Sequence, residues 1–272
     1  NGNIADKRSA TSVPSNTSSD GWSLLGNTPD TITYNGNRNY DLVFNSVDLS
    51  STLSSGQRLK LIRTVAAPTQ CTSLNGSTQY YSRTSANLGS TMTFTNNFTV
   101  SAWVKLNAYP ASGTIGTIAS RYNGTSGWSF DINSTGQVRI LGFNNGGTNY
   151  RGITTYSSVP LNRWIHITGQ LDMSVTTNSP TTSYIMINGL DVNCGYSSSG
   201  TNPTSLLQAG NLEIGSASAT AFFNGKIAQV AIYSAKITQA NIRATISQGL
   251  SGSETSLISA YSFNNSKNSY VY

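Results

Sequence analysis

The stretch from Phe222 to Gly249, FFNGKIAQVAIYSAKITQANIRATISQG, limits the possible folds of this chain more than any other segment. Its apolar first half predicts one buried strand, entered through a turn at Asn224-Gly225. Its second half predicts one short helix, because Thr238 is a residue type that caps helix N-termini and Gly249 is one that ends them. A lone helix after many strand-like segments indicates a β-sandwich with a surface helix between its last strands.

The apolar positions of this stretch also predict how it packs. A buried strand and a helix that covers a sheet should both turn their branched apolar residues inward. The predicted core positions are Ile227, Val230 and Ile232 in the strand and Ile242 and Ile246 in the helix.

Short strand-like segments recur at roughly ten-residue spacing from residue 69 onward, as expected of an antiparallel sandwich. One of them, NFTVSAWVKL, is apolar at both alternating sets of positions, which indicates a strand covered on both faces. In GWSFDINS only one set is apolar, so Trp128 is predicted to lie in the core. After the helix, SLISAYSFNN predicts a closing strand that pairs near the start of the domain.

The first 68 residues are organised differently. Residues 1–20 are polar and without periodicity, which indicates an arm or linker. Residues 21–68 contain short alternating runs with a hairpin signal at Asn35-Gly36, and they predict a small β unit for assembly or attachment. An Ala-Ala-Pro segment separates this unit from a sandwich over residues 69–272. Because so small a unit buries a thin core, we expect it to pack on a neighbour or to oligomerise, with a homo-oligomer as the expected assembly.

Charged residues make up only 10% of the chain, against roughly 25% in an ordinary soluble domain. This balance is typical of extracellular or virion β proteins. Most of the net charge of +6 lies in residues 69–272, where ten Lys and Arg against five acids give +5. These basic residues are spread singly, which argues against a nucleic-acid partner. The chain has neither an apolar run of transmembrane length nor a signal-peptide pattern at Asn1, so we expect no membrane insertion.

The chain has two cysteines, Cys71 and Cys194. They are too few for a disulfide framework and too far apart in sequence for a zinc motif. The sequence leaves open whether they form one bridge or remain free thiols.

Residues from about 69 to 266 resemble the laminin-G-like, concanavalin-A-like jelly-roll family. The resemblance rests on the order and spacing of FTVSAWVKL, IASRYNGTSGWSF, RWIHITGQLD, YIMINGLDV, NLEIG, FFNGKIAQVAIYSAKIT with its helix, and LISAYSF. It implies an all-β fold, an antiparallel two-sheet jelly-roll sandwich with one short helix near the C-terminal end, preceded by the small N-terminal β unit. Residues 1–68 are similar to segments of phage tail and other virion-associated proteins that carry such domains.

The same resemblance bears on catalysis. Glycosidases of this fold place their acid and their nucleophile or base on one strand as Glu-x-Asp-x-x-Glu, and no such run occurs in the sequence. Glu213 and Glu254 are isolated, no Gly-x-Ser-x-Gly motif occurs, and His166 is expected to be a structural residue of its strand. We therefore predict that the chain is not an enzyme.

Calcium is the one cofactor that the resemblance leaves open. Some laminin-G-like domains bind it at the rim of the sandwich through an Asp and loop carbonyls. Asp131, Asp172 and Asp191 each lie at or near a predicted junction of strand and turn, and Asp131 is the candidate ligand. No loop contains several acids.

Two predicted loops, residues 121–124 and 143–151, combine aromatic rings, amides and an arginine. Such groups bind sugars through ring stacking and planar hydrogen bonds. The candidate ligand-binding residues are Tyr122, Asn123, Asn144, Asn145, Asn149, Tyr150 and Arg151, with Tyr156 and Tyr196 as weaker candidates. The competing interpretation is that each loop only reverses the chain.

The favoured hypothesis is a non-catalytic carbohydrate- or receptor-binding module on a phage virion (tail-like) or a cell surface. It would mediate attachment to a glycan or host-surface receptor by weak binding at the rim, strengthened by repeated copies. The alternative is a structural decoration or spacer domain without a ligand of its own, whose partners are other virion or surface subunits. Both hypotheses place the chain on a virion surface or outside the cell.

Overall fold

The computed structural model describes residues 68, 70–88, 92, 94, 97–144, 149–173, 175, 179, 181–199 and 210–263, together with the backbone of four strands before residue 64. The chain divides into two compact units, residues 1–67 and 68–272. Within this described part, no helix is both long enough and apolar enough to cross a membrane.

The first unit contains four short strands in two antiparallel pairs. The strands are β1 (Trp22–Leu25), β2 (Ile32–Tyr34), β3 (Leu42–Phe44) and β4 (Lys60–Arg63). β1 pairs with β4 and β2 pairs with β3. The hairpin residues Asn35 and Gly36 and the predicted arm at residues 1–20 lie outside the described residues.

The second unit is a sandwich of two antiparallel sheets, which confirms the predicted fold class. Sheet A contains, from edge to edge, β15 (Cys194–Ser199), β11 (Asn149–Ser158), β10 (Gln137–Asn144), β9 (Gly127–Asn133), β8 (Ile115–Tyr122), β16 (Leu212–Ile214) and β6 (Tyr81–Arg83). Sheet B contains β14 (Leu190–Asp191), β13 (Tyr184–Ile187), β12 (Ile165–Asp172), β7 (Asn97–Leu106), β17 (Asn224–Tyr233) and β18 (Leu257–Tyr261), with β5 (Thr72–Asn75) also on β17. The described helices are a 3₁₀ turn (Ser85–Asn87) and α1 (Gln239–Gln248).

Alternate residues of facing strands form the core between the sheets. Trp128 and Phe130 of β9 are fully buried in one cluster with Phe98 and Val100 of β7. The ring centroids of Trp128 and Phe98 are 5.6 Å apart. Trp128 is therefore a core residue, as predicted.

The strand β17 is central in sheet B. It pairs with β7 on one side and with β5 and then β18 on the other, so the first and last strands of the unit meet on it. Its predicted core positions are fully buried: Ile227, Val230 and Ile232. The predicted turn at Asn224-Gly225 is wrong, because both residues already pair within β17. Glycine is needed there for close approach, since a Cβ on Gly225 would lie 2.2 Å from the Lys105 carbonyl oxygen.

The helix α1 covers the outer face of sheet B. The Thr238 hydroxyl caps it by accepting a hydrogen bond from the Asn241 N–H at 3.3 Å, and the helix ends at Gly249, whose φ is 80°. Ile242 and Ile246 are buried, as predicted. The outward-facing Thr99, Ser101 and Trp103 of β7 are buried too, which confirms that this part of the strand is covered on both faces.

The sequence does not predict two features of the sandwich. The edge strand β15 has the sequence CGYSSS, which lacks apolar alternation. The segment SLNGSTQYYSR contributes to two strands, β5 and β6, which belong to different sheets. Of the two interpretations left open for the cysteines, the structure has free thiols, and that of Cys194 donates to the Val192 carbonyl oxygen at 3.3 Å.

Candidate functional site

A row of side chains crosses the outer face of sheet A at the end where β8 and β10 finish. Directly paired residues of neighbouring strands share a face of the sheet. Five residues on five successive strands are paired in this way and form one row: Tyr122, Gly127, Phe143, Tyr150 and Ser199. Trp128, the next residue after Gly127, points into the core, so this row faces away from sheet B. We call Tyr122, Phe143 and Tyr150 the aromatic row.

In the aromatic row, the ring of Phe143 contacts the ring on each side of it. The ring centroids of Tyr122 and Phe143 are 5.0 Å apart, and those of Phe143 and Tyr150 are 6.3 Å apart. Gly127 lies between Tyr122 and Phe143 in the row. Its φ is +122°, and a Cβ at this position would lie 1.8 Å from the Arg121 carbonyl oxygen, so only glycine fits here. All three rings are partly exposed. They therefore present an apolar surface with two hydroxyl groups to the solvent.

The turn after β8 is stabilised by its own side chains. Oδ1 of Asn123 accepts hydrogen bonds from Thr125 N–H, the Thr125 hydroxyl and Ser126 N–H at 2.8 to 3.1 Å. The Tyr122 hydroxyl donates to the Gly124 carbonyl oxygen at 2.6 Å, and burial raises the pKa of Tyr122. The carbonyl end of the Asn123 side chain thus holds the turn.

The hairpin of β10 and β11 divides the remaining candidates between two faces. Asn144 pairs with Asn149 at its end. Because successive strand residues alternate, both fall on the face opposite to the aromatic row, and both are partly buried. Asn145 lies outside the described residues. The structure thus brings the two predicted tyrosines together but does not bring these asparagines to the same face.

Arg151 lies inside the sandwich rather than at its rim. It is only 1% exposed, and its Nη1 donates to the backbone carbonyl of Asp172 in sheet B at 3.0 Å. Burial lowers its pKa from the usual arginine value. Arg121 of the other loop is also buried, and it donates to the carbonyl oxygens of Met92 and Gly210. The prediction that Arg151 contacts a ligand is therefore wrong, because this side chain links the two sheets.

Asp131 lies on the outer face of sheet A and is fully buried. Its Oδ1 accepts a hydrogen bond from Arg139 Nε at 2.7 Å, and its Oδ2 accepts one from the Ser129 hydroxyl at 2.6 Å. Among the described residues, no three His, Cys, Asp or Glu side chains are grouped so that they could hold a metal ion. Asp131 is thus buried in an ion pair with Arg139 rather than exposed at a rim loop, which argues against it as a calcium ligand.

We expect the melting temperature to be the same in millimolar calcium and in chelator. Calcium bound only to the folded state, at about 100 times its Kd, would add about 2.7 kcal/mol to the free energy of unfolding, which calorimetry detects readily. A calcium-dependent rise in melting temperature that is absent from Asp131→Asn would contradict the assignment of Asp131 to its ion pair.

The other candidates lie apart from the aromatic row. Tyr156, six residues after Tyr150 on β11, is 69% exposed. Tyr196 is half-buried, and its hydroxyl donates to the Ser183 carbonyl oxygen at 3.4 Å. His166 is buried with its ring edge-to-face with Trp103, at a centroid distance of 5.3 Å, which agrees with a structural role.

The described part of the second unit also has two cavities away from the aromatic row. One, of about 320 Å³, opens at the opposite end of the sandwich beside Tyr109, Phe222 and Asn224. The other, of about 340 Å³, lies between α1 and residues 249–255. In the first, the Tyr109 hydroxyl and the Asn224 side chain already have protein partners. Its remaining lining is mostly apolar, so it offers few polar groups for orienting a ligand.

Residues 75–243, more than half of the chain, match the family model described as the concanavalin A-like lectin/glucanases superfamily. No curated protein matches the chain at a significant level.

Two solved structures have a similar fold at low sequence identity. A proposed carbohydrate binding protein from Bacteroides ovatus is 18% identical with a TM-score of 0.51, and the match covers 79% of this chain and 58% of that one. The CBM40 domain of the Ruminococcus gnavus IT-sialidase, bound to α2,3-sialyllactose, is 14% identical with a TM-score of 0.50, and the match covers 65% of this chain and 96% of that one. The chain therefore spans less than two thirds of the first of these proteins.

Proposed function

The chain belongs to the concanavalin A-like lectin/glucanase superfamily, and from this premise we propose that it binds a glycan at the aromatic row without catalysing a reaction. The observation that carries the proposal is the contact of three partly exposed rings across one face of sheet A. Aromatic rings bury the apolar faces of a ligand while tyrosine hydroxyls bond its polar groups, and a sugar ring offers both kinds of surface.

The shape of the site supports weak binding of each copy. The rings lie on an open sheet face, whereas high-affinity small-molecule sites enclose most of the ligand. Repeated copies on one particle or surface would raise the overall avidity without new contacts. We therefore propose display on a virion, such as a phage tail, or on a cell surface, with attachment to a host glycan or receptor. In this proposal residues 1–67 join the binding unit to other subunits or to copies of itself.

The placement of the acids supports the absence of catalysis. On the outer face of sheet A, Glu213 pairs with Ser120, which pairs with Ser129 on β9, and Asp131 lies two residues farther along. Strand spacing and residue rise put the Cα atoms of Glu213 and Asp131 about 12 Å apart, with β8 between their strands. Glycosidases need two carboxylates on either side of the bond that is cleaved. In addition, Asp131 is paired with Arg139.

A glycan array that includes α2,3-sialyllactose, followed by titration of the strongest oligosaccharide, tests this function. We expect Tyr122→Ala and Tyr150→Ala each to weaken binding about tenfold, equivalent to 1.4 kcal/mol, because each removes a ring and a hydroxyl. Tyr156→Ala is the matched control, since it removes an exposed tyrosine of the same strand roughly 20 Å away.

An array without any bound glycan would contradict the proposal. Equal losses in Tyr150→Ala and Tyr156→Ala would contradict the location of the site. If host attachment also stayed unchanged in the aromatic-row variants, the structural spacer would become the better explanation.

A further inference from the structure

The loop between β16 and β17, residues 215–223, brings its tip next to the turn that follows Tyr122, while its last residues line the cavity beside Phe222. A Cβ on Gly124 would be 4.0 Å from the Ser218 hydroxyl oxygen, so Ser218 adjoins the turn to which the Tyr122 hydroxyl is bonded. Residues 218–220 at the tip of this loop are exposed, while residues 212–217 are buried. The exposed tip of the loop therefore places the Ser218 hydroxyl next to the turn that contacts Tyr122.

The backbone of this loop has an unfavourable conformation. Ser218, Ala219 and Ala221 all have φ near 52°, in the left-handed region. Residues with a Cβ rarely adopt this region, and serine and alanine occupy it only where surrounding contacts impose it. Strained backbone of this kind is concentrated at functional sites.

Hydrogen bonds from the sheet below impose the conformation. The Ser120 hydroxyl donates to the Ser216 carbonyl oxygen at 2.9 Å, and the Thr117 N–H donates to the Ala221 carbonyl oxygen at 2.9 Å. These two bonds fix the base of the loop. The tip is fixed by Glu213, whose Oε2 accepts the Ala219 N–H at 3.0 Å.

Glu213 is an unusual residue for this place. Its side chain is on the outer face of sheet A and only 5% exposed, although burial of a carboxylate is costly unless it is bonded. The bond that the structure gives it is the one to Ala219, the residue between the exposed Ser218 and Thr220. An acceptor at this position holds the left-handed backbone and so determines where the Ser218 hydroxyl points.

We infer that Glu213 is a positioning residue of the glycan site and that Ser218 is a direct contact to a sugar hydroxyl. This inference rests on the proposed function. A sugar stacked on Tyr122 would place its edge beside Gly124 and Ser218. Within the described residues the Ser218 hydroxyl makes no hydrogen bond, whereas that of Thr220 donates to the Ala217 carbonyl oxygen at 2.7 Å. Ser218 is thus the hydroxyl of the tip that can bond a ligand.

Three variants test the inference with the array oligosaccharide of strongest signal as probe. Glu213→Leu removes the acceptor and should weaken binding about tenfold, whereas Glu213→Gln keeps an acceptor oxygen and should stay within about threefold of the wild type. Ser218→Ala removes only the hydroxyl. It should not add backbone strain, because Ala219 already adopts the same left-handed conformation as an alanine. It should weaken binding about tenfold with no change in melting temperature.

Amide hydrogen exchange of Ala219 provides a readout that needs no sugar. We expect exchange about tenfold faster in Glu213→Leu and near the wild-type rate in Glu213→Gln. Unchanged exchange in Glu213→Leu would overturn the positioning role even if no sugar binds at all. Faster exchange with unchanged sugar affinity, or full affinity in Ser218→Ala, would overturn the role of this loop in the site. If Glu213→Leu does not fold, the affinities of Glu213→Gln and Ser218→Ala still decide.

Discussion

Trp128→Ala should lower the free energy of unfolding by about 3 to 5 kcal/mol, because it leaves a large cavity between the two sheets. Trp128 is fully buried, with Phe98 and Phe94 centroids at 5.6 and 6.4 Å. The effect should extend to the aromatic row, since Trp128 directly follows Gly127, which separates two of its rings. Urea denaturation followed by circular dichroism measures this loss.

Trp128→Phe is the matched control. It keeps an aromatic ring in the same space and removes an indole N–H that has no hydrogen-bond partner among the described residues. We expect it to cost no more than about 2 kcal/mol. A cost below about 1 kcal/mol for Trp128→Ala would show that the space between the sheets is not closely packed there.

His166 should make the folded protein sensitive to acid. The His166 side chain is buried on the face of sheet B that also carries Trp103, and this burial lowers the pKa of His166 to about 3. The unfolded chain has an ordinary histidine pKa near 6.5, so it binds the proton more readily than the folded protein does. The stabilisation by neutral His166 is therefore fully present above about pH 6.5 and is lost as the pH falls from there toward the folded pKa.

The comparison with His166→Phe isolates this contribution, because phenylalanine keeps a ring against Trp103 and cannot titrate. Between about pH 7 and pH 4, the free energy of unfolding of the wild type should fall by about 3 kcal/mol more than that of the variant. Urea denaturation at both pH values measures the difference. Equal losses in the two proteins would mean that His166 can be protonated without unfolding.

The strands that lie inside the sandwich are predictable from the sequence because burial on both faces leaves a continuous apolar pattern. The segment NFTVSAWVKL coincides with β7, and the apolar residues after Asn224-Gly225 lie in β17. The edge strand β15 has only one neighbour, so nothing forces apolar residues into CGYSSS. The Asn-Gly pair in β17 misleads because its glycine permits close approach to β7 rather than a turn.

The candidate site is only partly predictable, since it depends on the register between strands. Both tyrosines of the aromatic row are recognisable from their loops, but the register that adds Phe143 and places Gly127 between the rings is not visible in the sequence. Arg151 misleads because arginine is normally exposed, and its acceptor on sheet B is distant in sequence. The sequence likewise does not reveal the environment of Asp131, because its ion-pair partner Arg139 lies on a different strand.

The most direct test of glycan binding at the aromatic row is nuclear magnetic resonance titration of the isotope-labelled protein with the strongest array oligosaccharide. We predict that chemical-shift changes concentrate at Tyr122, Phe143, Tyr150 and Ser218 and leave α1 and the cavity beside Phe222 unchanged. Shift changes centred on either of those two places, or none with any glycan of the array, would contradict the account.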